Sequence, residues 1–123
     1  MTPKKILLVD DSNTVLMMHR MLLYGQPYEL LFACDGQEAL DKALAHKPDL
    51  IFMDLVMPKM NGLDACRAMR MHPEMANTPI LLVTTRGEPH NREAGFQAGC
   101  TEYITKPFYS ADLLARVRHY LGM

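Results

Sequence analysis

The sequence predicts an α/β fold, a doubly wound five-stranded parallel sheet covered by five helices. Two observations carry that prediction. Short apolar runs without polar alternation recur at Ile6-Leu7-Leu8-Val9, Leu50-Ile51-Phe52-Met53 and Ile80-Leu81-Leu82-Val83. Strands read this way when helices cover both faces of their sheet, although periodicity alone leaves a buried helix segment open for Leu50 to Met53. Between the runs lie segments with apolar residues at helical spacing, and strictly alternating strands and helices imply parallel pairing.

The first run ends at Asp10-Asp11, and Ser12 can cap a helix with Val15, Met18 and Leu22 on its apolar face. Gly25 and Pro27 close that segment, and Tyr28 to Ala33 reads as the second strand. Asp35-Gly36 turns the chain into a second helix with the stripe Ala39, Leu40, Ala43 and Leu44, ended by Pro48. The central strand follows, handing over to Asp54 and a loop from Val56 to Asn61. Gly62 to Met71 supplies a third helix with Leu63, Cys66 and Met69 on one face, and Pro73 and Pro79 bracket a polar connection. The fourth strand ends at Thr84-Thr85. Pro89 suits a first helical position, but Gly95 weakens that fourth helix by about 1 kcal/mol relative to Ala. Glu102 to Thr105 is a short fifth strand leading to Lys106-Pro107-Phe108. Ser110 is placed to cap a last helix with Leu113, Leu114, Val117 and Leu121 inward and Gly122 at its end.

At 123 residues the chain is expected to form one domain, residues 1–123. Its apolar content of 49% and charged content of 22% fit a globular protein. A formal net charge of −1 offers no general attraction for nucleic acid or anionic lipid, so direct nucleic-acid binding is not expected. No apolar run approaches the roughly 18 residues that span a bilayer, so membrane insertion is not expected either. Cys34, Cys66 and Cys100 are far apart, and an odd count without a secretory leader predicts reduced core thiols in the cytoplasm. The 11 methionines are expected in the core, with a contact surface near Met57 and Met60 as the alternative. All five histidines are read as surface residues.

Strand ends hand over to Asp10-Asp11, Asp54, Thr84 and Lys106, and parallel strands all end on one edge, so these residues should share a cleft. Three carboxylates together repel one another, so either one is protonated or a cation neutralises them. With oxygen donors and no His or Cys beside them, magnesium is the expected ion. A lysine ammonium and a threonine hydroxyl could donate to phosphoryl oxygens, and the parts match in-line attack by an Asp54 carboxylate.

This ordered set resembles the receiver domain of bacterial two-component response regulators, with single-domain CheY-like members nearest in length. The resemblance spans essentially the whole chain. It rests on Asp10-Asp11, on Asp54 followed by Met57-Pro58 and Gly62, on Thr84, and on Tyr103 before Lys106-Pro107. It implies a flavodoxin/CheY-like strand order 2-1-3-4-5. It implies phosphoryl transfer to Asp54 from a sensor histidine kinase or a histidine phosphotransfer protein. Asp10, Asp11, Asp54 and the Val56 carbonyl would hold Mg2+, with Asp10 acting through water. Thr84 and Lys106 would contact the phosphoryl group, Tyr103 would swing inward with Thr84, and Lys106-Pro107 would be cis. Three positions depart from the common pattern. Val56 cannot polarise an attacking water, which predicts a long-lived phosphorylated state, Thr85 is larger than is common there, and Arg86 has no assigned effect.

The expected role is therefore a phosphorylation-controlled signalling module, not a conventional enzyme. Its reader is a downstream protein on the face of the fourth helix, fifth strand and last helix, where Gly95 predicts low stability. Three alternatives are weighed. A haloacid-dehalogenase-type phosphatase needs a second acid two residues after the nucleophile, where Val56 stands. A flavodoxin-like cofactor binder needs a glycine-rich phosphate loop where Asp10-Asp11-Ser12 stands. A receiver fold working by binding alone would lack one of the five key residue types, all of which are present. No output domain is read after Gly122-Met123, which fits a complete regulator or a receiver cut from a longer protein.

Overall fold

Main-chain pairing gathers five strands into one parallel sheet in a computed structural model that describes residues 3–84, 89–105 and 110–122, the side chains of 89–91 and 110 excepted. In chain order the elements are β1 (Lys4–Val9), α1 (Asn13–Leu22), β2 (Tyr28–Ala33), α2 (Gly36–His46), β3 (Leu50–Asp54) and α3 (Gly62–Arg70). A 3-10 turn (Pro73–Met75), β4 (Ile80–Thr84), α4 (Pro89–Gln97), β5 (Glu102–Thr105) and α5 (Ser110–Leu121) complete the chain. The sheet order is β2-β1-β3-β4-β5, every pairing parallel. The order reverses between β1 and β3, and a crevice opens at such a switch point beyond the carboxyl ends of the strands.

Alternation of side chains splits the interior into two layers. Leu7, Val9, Ile51, Met53, Ile80, Leu82 and Tyr103 pack with Ala39 and Ala43 of α2, with Ala65, Cys66 and Met69 of α3, and with Ala98 just past α4. Ile6, Leu8, Leu50, Phe52, Leu81 and Val83 face Leu16 and Leu23 at α1 and Leu113 and Val117 of α5. Both faces are covered, which is why the strands are apolar without alternation. Three helices start on side-chain caps: Ser12 accepts from the Val15 amide, Asp35 from Glu38 and Asn61 from Asp64, at 3.3, 2.8 and 2.9 Å. Such caps contribute roughly 1 kcal/mol each.

The structure corrects several expectations. Met18 is 58% exposed, because α1 buries a narrow stripe through Leu16 and Leu23. Met17, Met21 and Met71 are exposed too, whereas Met57 is buried and Met60 packs against the core instead of forming a contact surface. Cys34 is exposed at the end of β2, while Cys66 and Cys100 are buried as expected. His19 and His72 are half-buried. The connection between Pro73 and Pro79 is not wholly polar, since its 3-10 turn drives Met75 to 1% exposure. The cap expected of Ser110 lies outside the described side chains, and α5 takes Ser110 as its first residue. Among the described residues no helix is long and apolar enough to cross a membrane.

Candidate functional site

Register sets Val9 of β1 opposite Met53 of β3, so one residue later Asp10 comes level with Asp54. Asp11 follows on the turn into α1. Carboxylate oxygens of Asp10, Asp11 and Asp54 lie within 4.8 Å of one another. Asp10 is buried, Asp54 half-buried and Asp11 exposed, so the group runs from the core to the mouth of the cleft. Asp10 Oδ1 accepts from the Ser12 amide at 2.9 Å, and the Asp10 amide donates to the Ala33 carbonyl at 3.1 Å. The turn that caps α1 thereby also orients the deepest carboxylate.

Two backbone bonds hold the end of β3. The Leu55 amide donates to the Val83 carbonyl at 3.1 Å, and the Gly62 amide donates to the Leu55 carbonyl at 2.8 Å. A Cβ on Gly62 would stand 2.5 Å from the Asp54 carbonyl oxygen and 3.0 Å from Leu55 Cα. Only glycine lets the start of α3 close so tightly behind Asp54. Val56 turns a 53% exposed side chain outward, which leaves its part in any site to the backbone.

Asp54 pairs with Val83, so Thr84 sits one residue further along the neighbouring strand, at 1% exposure. Thr84 in turn pairs with Thr105, and Leu82 with Tyr103, which places Tyr103 on the Thr84 face of the sheet. Tyr103 is 5% exposed. The structure thus brings Asp10, Asp11, Asp54 and Thr84 to one sheet edge, with Tyr103 on the adjacent strand. Lys106 and the expected cis bond to Pro107 lie outside the described residues, as do Thr85, Arg86 and Phe108.

Like charges this close repel, and the repulsion grows as water is excluded. An all-oxygen donor set with no sulfur or imidazole suits a hard divalent ion such as Mg2+ that keeps several waters. A second group, Cys34, Asp35 and Glu38, also brings ligand atoms within 4.8 Å. Its carboxylates are already engaged, Asp35 with Lys59 at 3.8 Å and Glu38 with Lys42 at 3.3 Å, besides the bonds within the group. Asp35 accepts from the Glu38 amide at 2.8 Å, and Glu38 Oε1 accepts from the Cys34 amide at 2.8 Å and its thiol at 3.2 Å. The amide bond, then the thiol bond, hold the Glu38 carboxyl below its usual range, and the same contact raises the Cys34 thiol. That reciprocal pattern is a capping arrangement at the start of α2.

One neighbour of the cleft escapes the sequence reading. The Arg92 guanidinium lies 5.3 Å from the centroid of the Tyr103 ring, and its Nη1 donates to the Tyr103 carbonyl at 3.1 Å. The available signal was an arginine three residues before Gly95, on the helix that leads into the strand of Tyr103.

Comparison with known proteins agrees with this layout. The sequence model of the response regulator receiver domain matches residues 6–118. The chain is 38% identical over 118 residues to the alkaline phosphatase synthesis transcriptional regulatory protein PhoP of Bacillus subtilis, covering 96% of this chain and 48% of that protein. It is 38% identical over 117 residues to the response regulator ArlR of Staphylococcus aureus, covering 95% and 52%. The chain spans about half the length of these curated relatives. Among solved structures, the chemotaxis response regulator CheY4 of Vibrio cholerae aligns with a TM-score of 0.88 at 37% identity over 97% of this chain and 99% of that one. The receiver domain of the sensor histidine kinase PA1611 from Pseudomonas aeruginosa PAO1, described with magnesium coordinated in its active-site cleft, aligns with a TM-score of 0.87 at 29% identity, covering 99% and 100%.

Proposed function

Because this chain belongs to the response regulator receiver domain family, as the match over residues 6–118 shows, we propose that Asp54 is its phosphoacceptor. The observation that carries this reading is the meeting of Asp10, Asp11 and Asp54 at the switch point of the sheet, with Asp54 half-buried at a strand end. An Asp54 oxygen attacks the phosphorus of a phosphohistidine on a sensor kinase or phosphotransfer protein. A P–O bond forms, the P–N bond breaks, and the imidazole nitrogen leaves with the electron pair.

Asp10, Asp11, Asp54 and the Val56 carbonyl would hold Mg2+, which when bound neutralises the crowded carboxylates and offsets charge on the phosphoryl oxygens. Asp10, fixed by the Ser12 amide, keeps a constant place in that set. Thr84 and Lys106 donate to the phosphoryl oxygens and give the phosphorylated conformer its extra contacts. Tyr103 follows Thr84, and the face of α4, β5 and α5 is where a downstream protein reads the change. The module works in the cytoplasm, on protein partners, without touching nucleic acid or membrane, and turns over nothing but its own phosphoryl group.

Incubation with a radiolabelled small-molecule phosphodonor tests this. The chain should take up label only with Mg2+ present, and Asp54→Asn should abolish uptake while leaving the fold intact. Equal labelling of Asp54→Asn would end the proposal.

A further inference from the structure

We propose that Arg92 is a positioning residue that holds the Tyr103 ring in its inward place before any phosphoryl group arrives. The inference deepens the proposed function and rests on it for the meaning of the inward position. Tyr103 is 5% exposed, and its ring occupies the space left by the missing side chain of Gly95, where a Cβ would stand 2.7 Å from Cδ2 and 3.2 Å from Cε2. Arg92 and Gly95 are three apart in α4 and so share a face of the helix. From that face Arg92 engages Tyr103 twice. Its guanidinium covers the ring at 5.3 Å from the centroid, and its Nη1 donates to the Tyr103 carbonyl at 3.1 Å.

The two contacts act on different parts of one residue. The hydrogen bond ties α4 to the backbone of β5, and the cation over the ring resists rotation of that ring toward solvent. Swinging Tyr103 outward forfeits the ring contact and strips the guanidinium of its aromatic support. The inward state is therefore favoured in the unmodified chain, and part of the change that phosphorylation selects is made in advance. By linkage, a conformer already biased inward takes up phosphate more readily than one that is not.

The test uses the whole unmodified chain, with its tyrosine rings selectively labelled for NMR and the Tyr103 signals assigned through Tyr103→Phe. Arg92→Met keeps the aliphatic cover and removes cation and donor. It should let the ring average between environments and lower the initial rate of phosphorylation by a small-molecule donor roughly three- to ten-fold. Arg92→Lys, which keeps the charge, should recover part of both. A Tyr103 ring equally confined in Arg92→Met, in a protein whose other amide signals are unchanged, overturns the proposal. Should Arg92→Met lose its fold, a ring in Arg92→Lys more mobile than in the wild type supports the latch, and one confined as in the wild type counts against it. Failure of the wild type to take up phosphate would remove the proposed function alone, because ring confinement is measured without phosphate.

Discussion

Helices α3 and α4 are nine residues each and cover neighbouring parts of one sheet face, yet they are built for opposite purposes. Helix α3 begins on the Asn61 cap and buries Gly62, Ala65, Cys66 and Met69. Its first turn carries Asp64 and its last turn Arg67 and Arg70, charges that suit the helix dipole at both ends. Arg70 then reaches out to the Gly99 carbonyl at 2.8 Å, the Met75 carbonyl at 2.6 Å and Thr101 Oγ1 at 3.3 Å. Helix α4 has no acid in its first turn, no base in its last, and a glycine in its interior. Phe96 on it is 49% exposed. One helix is fastened down behind the proposed acceptor. The other is held lightly beside the proposed switch, as an element that must move has to be drawn from the least stable part of the fold.

The largest test of that contrast is truncation of one side chain on each helix. Met69 is fully buried between α3 and the sheet, so Met69→Ala should lower unfolding stability by about 2–5 kcal/mol. Phe96→Ala should cost less than about 1 kcal/mol, since half of that ring already faces water. Urea unfolding of both variants measures the gap. Equal losses would mean that α4 is anchored as firmly as α3.

A smaller effect comes from the thiols where the two helices meet. Cys66 on α3 donates from its sulfur to the Ala98 carbonyl at 3.5 Å, and Cys100 follows α4. Burial pushes each thiol up from 9.0 to about 11. The fold thus favours the neutral thiols, and their contribution is complete below pH 9 and is lost as pH climbs from 9 to about 11. Tyr120, raised from 10.0 to about 12 by burial and by its bond to Glu102, adds a loss that begins only above pH 10. A fall in urea midpoint already between pH 9 and 10 therefore reports the thiols. Cys66→Ala should flatten that part of the profile, by on the order of 1 kcal/mol.

The same contrast decides what could be read from the residues alone. Strands buried on both faces leave no room for polar residues, so β1, β3 and β4 announce themselves as unbroken apolar runs, and the carboxylates at their ends locate the crevice. The order in which the strands lie came through resemblance to a family, since apolar runs carry no record of their neighbours. Composition cannot separate exposed Met17, Met18 and Met21 from buried Met53 and Met69, because α1 lies on one sheet face and buries a single narrow stripe. Cys34 was misread for a related reason: a small residue at a strand end fits core and surface equally. Arg92 was invisible because its partner is 11 residues away on another element, a distance no local spacing encodes.

The subtlest expectation concerns the two glycines that face the site from these helices. A Cβ on Gly62 meets backbone, the Asp54 carbonyl at 2.5 Å, whereas a Cβ on Gly95 meets the Tyr103 ring, a side chain able to rotate away. Gly95→Ala should gain about 1 kcal/mol of helix propensity and lose a similar amount by displacing the ring, leaving net stability within about 1 kcal/mol of the parent. The ring itself should not stay put. Because the chain has no tryptophan and five tyrosines, its near-ultraviolet circular dichroism reports tyrosine packing, and that signal should change while the urea midpoint barely moves. An unchanged tyrosine signal with a large stability loss would mean that α4 holds Tyr103 as rigidly as α3 holds the backbone of Asp54. The ring would then be confined by the helix itself and not by the Arg92 contact, and a switch that depends on moving it would need another source of freedom.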